Sequence, residues 1–198
     1  TLGILADLLG QVAGVIIGSI AGYFGGKVDN MIMRLLDIWQ ALPALLLTII
    51  LSAVLGPGFF NTILALSIGG VPRGARMTRG QILAERGKEY LEAATSINCS
   101  SSAIMFVHLL PNVISPTIVS ATMQVGGTIT MAASLSYLGL GIQPPTPEWG
   151  AMLSEGTAVM RAYPHIILFP GLMIGICVLA INLIGDGLRD ALDPKLRH

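Results

Sequence analysis

The sequence predicts an all-α fold in which several transmembrane helices cross a lipid bilayer. Of its 198 residues, 53% are hydrophobic and 11% are charged, whereas a soluble domain has roughly 25% charged residues. The mean hydropathy is +0.76, and the chain repeatedly contains apolar runs near the roughly 20 residues that a helix needs to cross a bilayer. The five predicted spans lie near residues 2–24, 31–55, 59–83, 103–138 and 164–187. We therefore expect the chain to lie in the lipid of a membrane. The net charge of zero gives no basic surface for nucleic acid.

The first predicted span carries a glycine at every fourth position. These residues are Gly10, Gly14, Gly18, Gly22 and Gly26. Glycines on one helix face expose bare backbone, which lets a second helix approach closely. We therefore expect this face to pack tightly against another helix rather than to bind a ligand.

The third and fourth predicted spans are less regular. In the third, Arg73, Arg76 and Arg79 follow the apolar part at intervals of three, and we expect them at the membrane surface. In the fourth, Pro111 and Pro116 interrupt a stretch that is longer than one span needs. Because proline removes a helix hydrogen bond, part of this stretch is expected to lie outside the lipid or to be kinked.

Basic residues are distributed unevenly along the chain. Ten of the eleven lie in the first turn, the central loop and the C-terminal tail, which five spans place on one side: Lys27, Arg34, Arg73, Arg76, Arg79, Arg86, Lys88, Arg189, Lys195 and Arg197. The positive-inside rule makes that side the cytoplasm, and Arg161 lies outside. The N-terminus is then external, so we expect at least one preceding span to be absent from this chain.

A polar loop between the third and fourth spans predicts a helix, a sharp turn and a second helix. Glu89 and Glu92 fall near the N-terminal end of the first helix, where the helix dipole favours negative charge. Asn98 suits the left-handed conformation that ends many helices, and Ser100 or Ser101 can cap the next helix. An ordinary amphipathic connector shows the same signals and remains a second interpretation.

The residues of this loop resemble the EAA loop of bacterial binding-protein-dependent ABC permeases. The family pattern is Glu-Ala-Ala, three residues, Gly, nine residues, an apolar residue, one residue and Leu-Pro. Its counterparts here are Glu92-Ala93-Ala94, Asn98, His108 and Leu110-Pro111. His108 departs from the apolar position, and Asn98 replaces Gly while keeping the turn chemistry. The resemblance implies that loop 86–111 docks on a separate ATPase.

The resemblance covers nearly the whole chain and is to the C-type permeases of dipeptide, oligopeptide, glutathione and nickel importers. The matching segments are 21–26, 37–43, 138–153 and 182–194, and the family's first span is missing. The resemblance implies a subunit that imports di- or oligopeptides across the bacterial inner membrane, with nickel or glutathione as alternative cargo. The implied partners are a second homologous permease, two cytoplasmic ATPase subunits and an extracytoplasmic solute-binding protein. The C-terminus and the EAA loop are expected in the cytoplasm.

The resemblance also implies which residues of the loop touch the ATPase. They are Glu89, Tyr90, Leu91, Glu92, Ala93, Ala94, Thr95 and Asn98. Glu92 is the expected polar anchor, and Ala93 and Ala94 form the expected close-contact face. The chain has no Gly-x-x-x-x-Gly-Lys-Ser/Thr loop, so ATP and Mg²⁺ are expected on the partner subunits. We expect the chain to be no enzyme and to hold no cofactor of its own.

Polar side chains and methionines in the fourth span are candidates for lining a transport pathway. They are Met123, Gln124, Thr128 and Met131. Methionine at helical spacing more often fills gaps between helices, so packing is the competing interpretation.

Acidic residues in or beside the apolar runs raise a different class, the ion-coupled secondary transporter. Asp37 and Asp186 fall near predicted cytoplasmic ends, where exposure or pairing with Arg34 or Arg189 is the simpler explanation. Asp7 is expected near the outer end. Since no predicted span has a central acid, a proton relay is disfavoured.

The sequence gives little support for a metal-binding site or for an intramembrane hydrolase. The histidines at 108, 165 and 198 are too widely separated to suggest a metal site. An intramembrane hydrolase needs a nucleophile beside a base, and Ser154 with His165 is the nearest candidate. The proline-rich stretch 143–149 is expected outside the membrane, either as a docking surface for the binding protein or as a rigid connector.

Overall fold

The computed structural model describes residues 1–192, and within them the chain is helical without a β-strand, which confirms the all-α prediction. The helices are α1 (Leu2–Phe24), α2 (Gly26–Trp39), α3 (Ala44–Leu55), α4 (Phe59–Glu85), α5 (Glu89–Ser96), α6 (Ser101–Ala103), α7 (Leu110–Tyr137), α8 (Trp149–Gly156) and α9 (His165–Leu192). A π-helical turn, Ile104–Leu109, joins α6 to α7. The tail features at 193–198 lie outside the described residues.

Three helical stretches in the described part are long and apolar enough to cross a membrane. They are α1, the continuous stretch Ser101–Tyr137, and α9. The pair α2 and α3 makes a fourth if its halves form one span despite a bend of 76°. The helix is therefore interrupted within the predicted span 31–55. Pro43 lacks an amide hydrogen and pushes the residue before it out of the helical region, so the chain breaks there.

Helices α1 and α4 run in the same direction and pack side by side through the predicted glycine face. A Cβ atom built on Gly10 would lie 2.8 Å from the carbonyl oxygen of Ser67, and one on Gly18 would lie 2.3 Å from that of Ala75. These distances leave no room for a side chain, which confirms the prediction of tight packing. Gly26 does not belong to this face, because it begins α2 with a φ of +54° and has open space where a Cβ would be.

The same register places Arg73 deeper than expected. Gly14 lies near the midpoint of α1, and a Cβ on it would be 2.9 Å from the Cα of Gly74 in α4. Arg73 therefore lies about halfway along α1, deeper in the helix bundle than the sequence predicts. Arg76 and Arg79 follow about one and two turns further towards the end of α4. Although these arginines lower the hydropathy of α4, the helix runs beside α1 over its length.

Two ion pairs hold α2 against α4. Arg79 bonds both carboxylate oxygens of Asp29, at 2.6 and 2.5 Å, and the Asp29 side chain is only 10% exposed. Arg76 bonds Asp37 at 2.6 Å with both side chains substantially exposed. The partner of Asp37 is thus Arg76 rather than Arg34. These pairs join α2 to α4 at two points.

Buried apolar clusters lie at opposite ends of the bundle. The first joins α1, α4 and α7 and consists of Ala6, Ile63, Leu66, Ala132 and Leu135. The second joins α4, α5, the π turn and α7 and consists of Ile82, Leu91, Ala94, Ile104, Leu109 and Val113. We call the end with the second cluster the basic end, because Arg86 and Lys88 lie beside it. Helix α5 is therefore part of a packed core.

Candidate functional site

Helix α5 lies at the basic end, between the end of α4 and the beginning of α7. Glu89 and Glu92 occupy its first turn, where the helix dipole stabilises a negative charge. Leu91 and Ala94 face inward and are 5% and 6% exposed. Burying one leucine side chain contributes roughly 1.5–3 kcal/mol, so apolar packing holds α5 against the bundle. The prediction of a short helix here is confirmed.

The helix ends in a Schellman motif centred on Asn98. The φ of Asn98 is +57°, which confirms the predicted left-handed turn. The amide of Cys99 donates to the carbonyl of Ala94 at 3.1 Å, and the amide of Asn98 donates to that of Thr95 at 3.0 Å. The hydroxyl of Ser100 then accepts a hydrogen bond from the amide of Ala103 at 3.3 Å and so caps the next helix. Local side-chain chemistry thus defines both ends of this turn.

Tyr90 ties α5 to both neighbouring helices. Its hydroxyl donates to Oε2 of Glu85, the last residue of α4, at 2.9 Å, and accepts from Nδ2 of Asn112 in α7 at 3.3 Å. Asn112 also donates to the carbonyl of His108 at 2.6 Å. Burial and the neighbouring Glu85 raise the pKa of Tyr90, so the phenol is protonated at neutral pH and can donate. A displacement of α5 therefore reaches α4 and α7 directly.

The outward face of α5 presents Glu92, Ala93 and Thr95. Glu92 and Thr95 also line a groove of about 640 Å³ between α5, the end of α1 and the π turn. Successive helix residues point about 100° apart, and here Ala94 turns into the core while Ala93 stays exposed. Ala94 and Leu91, both expected to contact the ATPase, therefore face the core of this chain, and the contact of α5 with an ATPase stays a prediction.

A cavity of about 380 Å³ lies halfway along the bundle, between α1, α4, α7 and the bend that joins α2 to α3. We call it the central cavity. Three of the four candidate pathway residues line it: Gln124, Thr128 and Met131. Met123 instead faces α9, where a Cβ on Gly185 would lie 3.0 Å from its Cγ. Their role in a pathway stays a prediction, and Met123 is placed outside this cavity.

Two charged residues face the central cavity from different helices. Nη1 of Arg73 donates to Oε1 of Gln124 at 2.9 Å, and Oγ1 of Thr128 donates to Oδ1 of Asp7 at 3.3 Å. Both charged residues line the cavity. The sequence interpretation overlooked Arg73 as a lining residue and placed Asp7 towards the outer end. The sequence signal for Arg73 is its place in a triplet with Arg76 and Arg79 inside one long helix, because such a triplet indicates a polar face in the bundle.

The remaining candidate residues are separated from these features. Asp186 is exposed, and no ion pair joins it to Arg189 in the described part of the chain. The ring of His165 contacts Tyr163 edge to face, and no hydrogen bond joins it to Ser154 among residues 1–192. Over the same residues, no three histidine, cysteine or acidic side chains are grouped to hold a metal ion.

Sequence comparison relates the chain to transport proteins. Residues 14–198 match the family described as binding-protein-dependent transport system inner membrane component. The chain is 46% identical over 195 residues to the glutathione transport system permease protein GsiD of Pectobacterium atrosepticum, covering 98% of this chain and 65% of the relative. It is 43% identical over 197 residues to the di/tripeptide transport system permease protein DppC of Pseudomonas aeruginosa, covering 100% of this chain and 65% of that relative. The chain thus spans about 65% of the length of these curated relatives.

Structural comparison agrees on the fold. A solved structure titled as inward facing conformations of the MetNI methionine ABC transporter superposes with a TM-score of 0.80, at 18% sequence identity, covering 97% of this chain and 91% of that chain. At this identity the likeness concerns the helical fold alone. Together with the family match over residues 14–198, these findings show that the chain belongs to the binding-protein-dependent transport system inner membrane component family.

Proposed function

We propose that this chain is the membrane-spanning permease subunit of an ATP-driven importer of short peptides, and that α5 couples it to a separate ATPase. The observation that carries the proposal is the attachment of α5, which is packed through Leu91 and bonded through Tyr90 to both α4 and α7. Its outward face stays available to a partner. Relatives named as glutathione and di/tripeptide permeases support a short peptidic cargo.

The mechanism follows from these connections. A short helix that is packed and capped transmits a rigid-body displacement, whereas a flexible loop absorbs it. When the ATPase subunits close, they push on α5, and α5 moves the ends of α4 and α7. These two helices carry Arg73 and Gln124, which line the central cavity. ATP-driven closure at the basic end therefore changes the shape of the cavity walls and alternates its access between the two sides.

The charge distribution supports the orientation and the partners. Arg86 and Lys88 beside α5 favour the cytoplasm for the basic end, where ATPase subunits have access to it. ATP and Mg²⁺ then bind on those subunits, since this chain carries no phosphate-binding loop. The assembly we propose contains a second permease, two ATPase subunits and an external solute-binding protein in the bacterial inner membrane.

A second candidate is an ion-coupled secondary transporter, and the position of Asp7 favours it. A carboxylate lining a cavity inside a bundle is a candidate ion-binding or proton-binding group, and Asp7 lines the central cavity. The two candidates differ in energy source. Peptide uptake by reconstituted importer stops with vanadate and survives a protonophore, whereas ion-coupled uptake shows the reverse pattern.

The substitution Glu92→Arg tests the role of α5. The full complex, purified with its ATPase subunits and reconstituted in vesicles with the binding protein, should insert normally but lose stimulation of ATP hydrolysis and peptide uptake. The reason is that a reversed charge on the exposed face disturbs the partner contact without disturbing the core. Glu155→Arg, at an exposed position of α8, is the matched control, and this variant should co-purify with the ATPase as the unmodified protein does. Normal coupling in Glu92→Arg would refute the proposed role.

A further inference from the structure

We propose that the central cavity binds a zwitterion the size of a dipeptide, with the ammonium group of the ligand at Asp7 and its carboxylate at Arg73. The inference rests on the proposed function and deepens it, because it assigns a cargo-recognition site inside the permease itself. It also states which cargo chemistry the site accepts: two opposite charges a fixed distance apart.

The first support is that two opposite charges face the cavity without forming an ion pair with each other. Arg73 uses one donor on Gln124, and Asp7 accepts one bond from Thr128. A guanidinium has five donors and a carboxylate about four acceptor positions, so both groups keep capacity for a ligand. The ion pairs formed within residues 1–192 join other side chains.

The second support is the depth of these charges. Arg73 lies level with the middle of α1, as the contact of Gly14 with Gly74 shows. A charge at this depth is costly and generally faces a water-filled cavity or a pathway. Here each charge is held by a neutral side chain of α7 instead of by the opposite charge. A ligand that supplies both counter-charges therefore stabilises this arrangement most.

The third support is the spacing. Thr128 lies four residues after Gln124 in α7, which corresponds to a rise of about 6 Å along the helix. An extended two-residue chain spans at most about 7 Å. The cavity volume of about 380 Å³ falls within the range of roughly 300–1,000 Å³ typical of small-ligand sites. A dipeptide therefore matches both the spacing of the two α7 residues that hold the charges and the available space.

The fourth support is the side-chain amide of Gln11. This residue is only 9% exposed and lines the central cavity. Its side chain makes no hydrogen bond to another residue within 1–192, and its polar atoms are not among the fully buried ones that lack a partner, so they are accessible to a ligand. A peptide bond held between Asp7 and Arg73 offers both a donor and an acceptor to this side chain. A bare divalent cation offers neither, and the Arg73 charge repels it.

Gly127 provides a reporter position for a direct binding test. It is exposed and lines the cavity, and a Cβ atom on its backbone would have no other atom within 4 Å. With Cys99 and Cys177 replaced by alanine, Gly127→Cys becomes the target for a maleimide in this chain. The full complex is labelled in detergent without binding protein, so that recognition by the binding protein does not enter the result.

The probes are dialanine, its C-terminal amide and its N-acetyl derivative. We expect dialanine to slow labelling at Gly127→Cys, and each capped form to require at least about tenfold higher concentration, as the loss of a charge-assisted hydrogen bond predicts. Nickel ion should give no protection. Equal protection by dialanine and both capped forms, or no protection by dialanine, would overturn the proposal.

Variants at the two charges assign the ends of the ligand. Arg73→Gln should abolish the preference for dialanine over its amide and keep the preference over the acetyl form, and Asp7→Asn should do the opposite. Arg73→Lys should keep both preferences, which guards against a folding defect, and Arg76→Gln is the matched control outside the cavity. ATP-dependent uptake without dialanine protection refutes the site alone, whereas the absence of ATP-dependent uptake refutes the proposed function.

Discussion

Replacing Asn98 by valine should loosen the end of α5, while glycine should be tolerated. Asn98 has a φ of +57° and anchors two hydrogen bonds, from Cys99 to Ala94 and from its own amide to Thr95. A left-handed conformation costs an ordinary L-residue roughly 1–2 kcal/mol, and a β-branched residue is a genuine outlier there. Glycine has no Cβ and adopts this conformation without strain.

Hydrogen exchange followed by mass spectrometry measures the effect. A loss of about 1–2 kcal/mol raises the opening equilibrium about 5–30-fold, so the amides of α5 should exchange faster by that factor in Asn98→Val. In Asn98→Gly they should exchange at nearly the original rate, and α8 at the opposite end should be unchanged in both. Peptide uptake should fall in the valine variant alone. Equal exchange in the glycine and valine variants would refute the assignment of the turn.

Two further predictions concern the packing of α1, α2 and α4. Gly18→Ala should lower the melting temperature markedly, because its Cβ would lie 2.3 Å from the carbonyl oxygen of Ala75. Gly175→Ala has open space at its Cβ and should change the melting temperature little. Equal melting temperatures in the two variants would contradict the packing. Asp29→Asn should lower the free energy of unfolding by about 2 kcal/mol, because it weakens a charged hydrogen-bonded pair. Asp37→Asn, at its exposed pair, should lower it by at most about 1 kcal/mol. Denaturation of the purified protein in detergent measures both losses, and a larger loss for Asp37→Asn would contradict the assignment.

Local features of the site could be predicted from the sequence because they depend on neighbouring residues. The acidic first turn of α5, the left-handed Asn98 and the cap at Ser100 each involve groups within a few positions of one another. The same applies to the glycine face of α1, since a four-residue spacing defines one side of a helix. These predictions needed no knowledge of which helices are neighbours.

Features that depend on helix pairing could not be predicted in this way. The depth of Arg73 follows from the register between α1 and α4, which is set by backbone contacts at Gly14 and Gly18. The inward orientation of Ala94 follows from the position of Ile82 and Leu109 in the same cluster. Hydropathy along the chain contains neither relation. The sequence therefore predicts Arg73 nearer the membrane surface than the helix register places it. It also predicts Ala94 on one face with Ala93, whereas Ala94 is buried.

The break between α2 and α3 is an intermediate case. The residues on both sides of the break are apolar, so a hydropathy window runs across it without interruption. Pro43 was the available local signal, because proline disfavours helix in the residue before it. The consequence for function could be seen only in three dimensions, where Trp39, Gln40 and Pro43 form one wall of the central cavity.

The most direct test of the coupling role of α5 compares Ala93→Cys with Ala94→Cys in the full complex. Ala93 is exposed, while its neighbour Ala94 is 6% exposed, so the pair differs only in the direction of the side chain. A short bifunctional cross-linker should join Ala93→Cys to a co-purified ATPase subunit, with a yield that changes when ATP is added. Ala94→Cys should give little product. No cross-link at Ala93→Cys, or equal yields at both positions, would contradict the account.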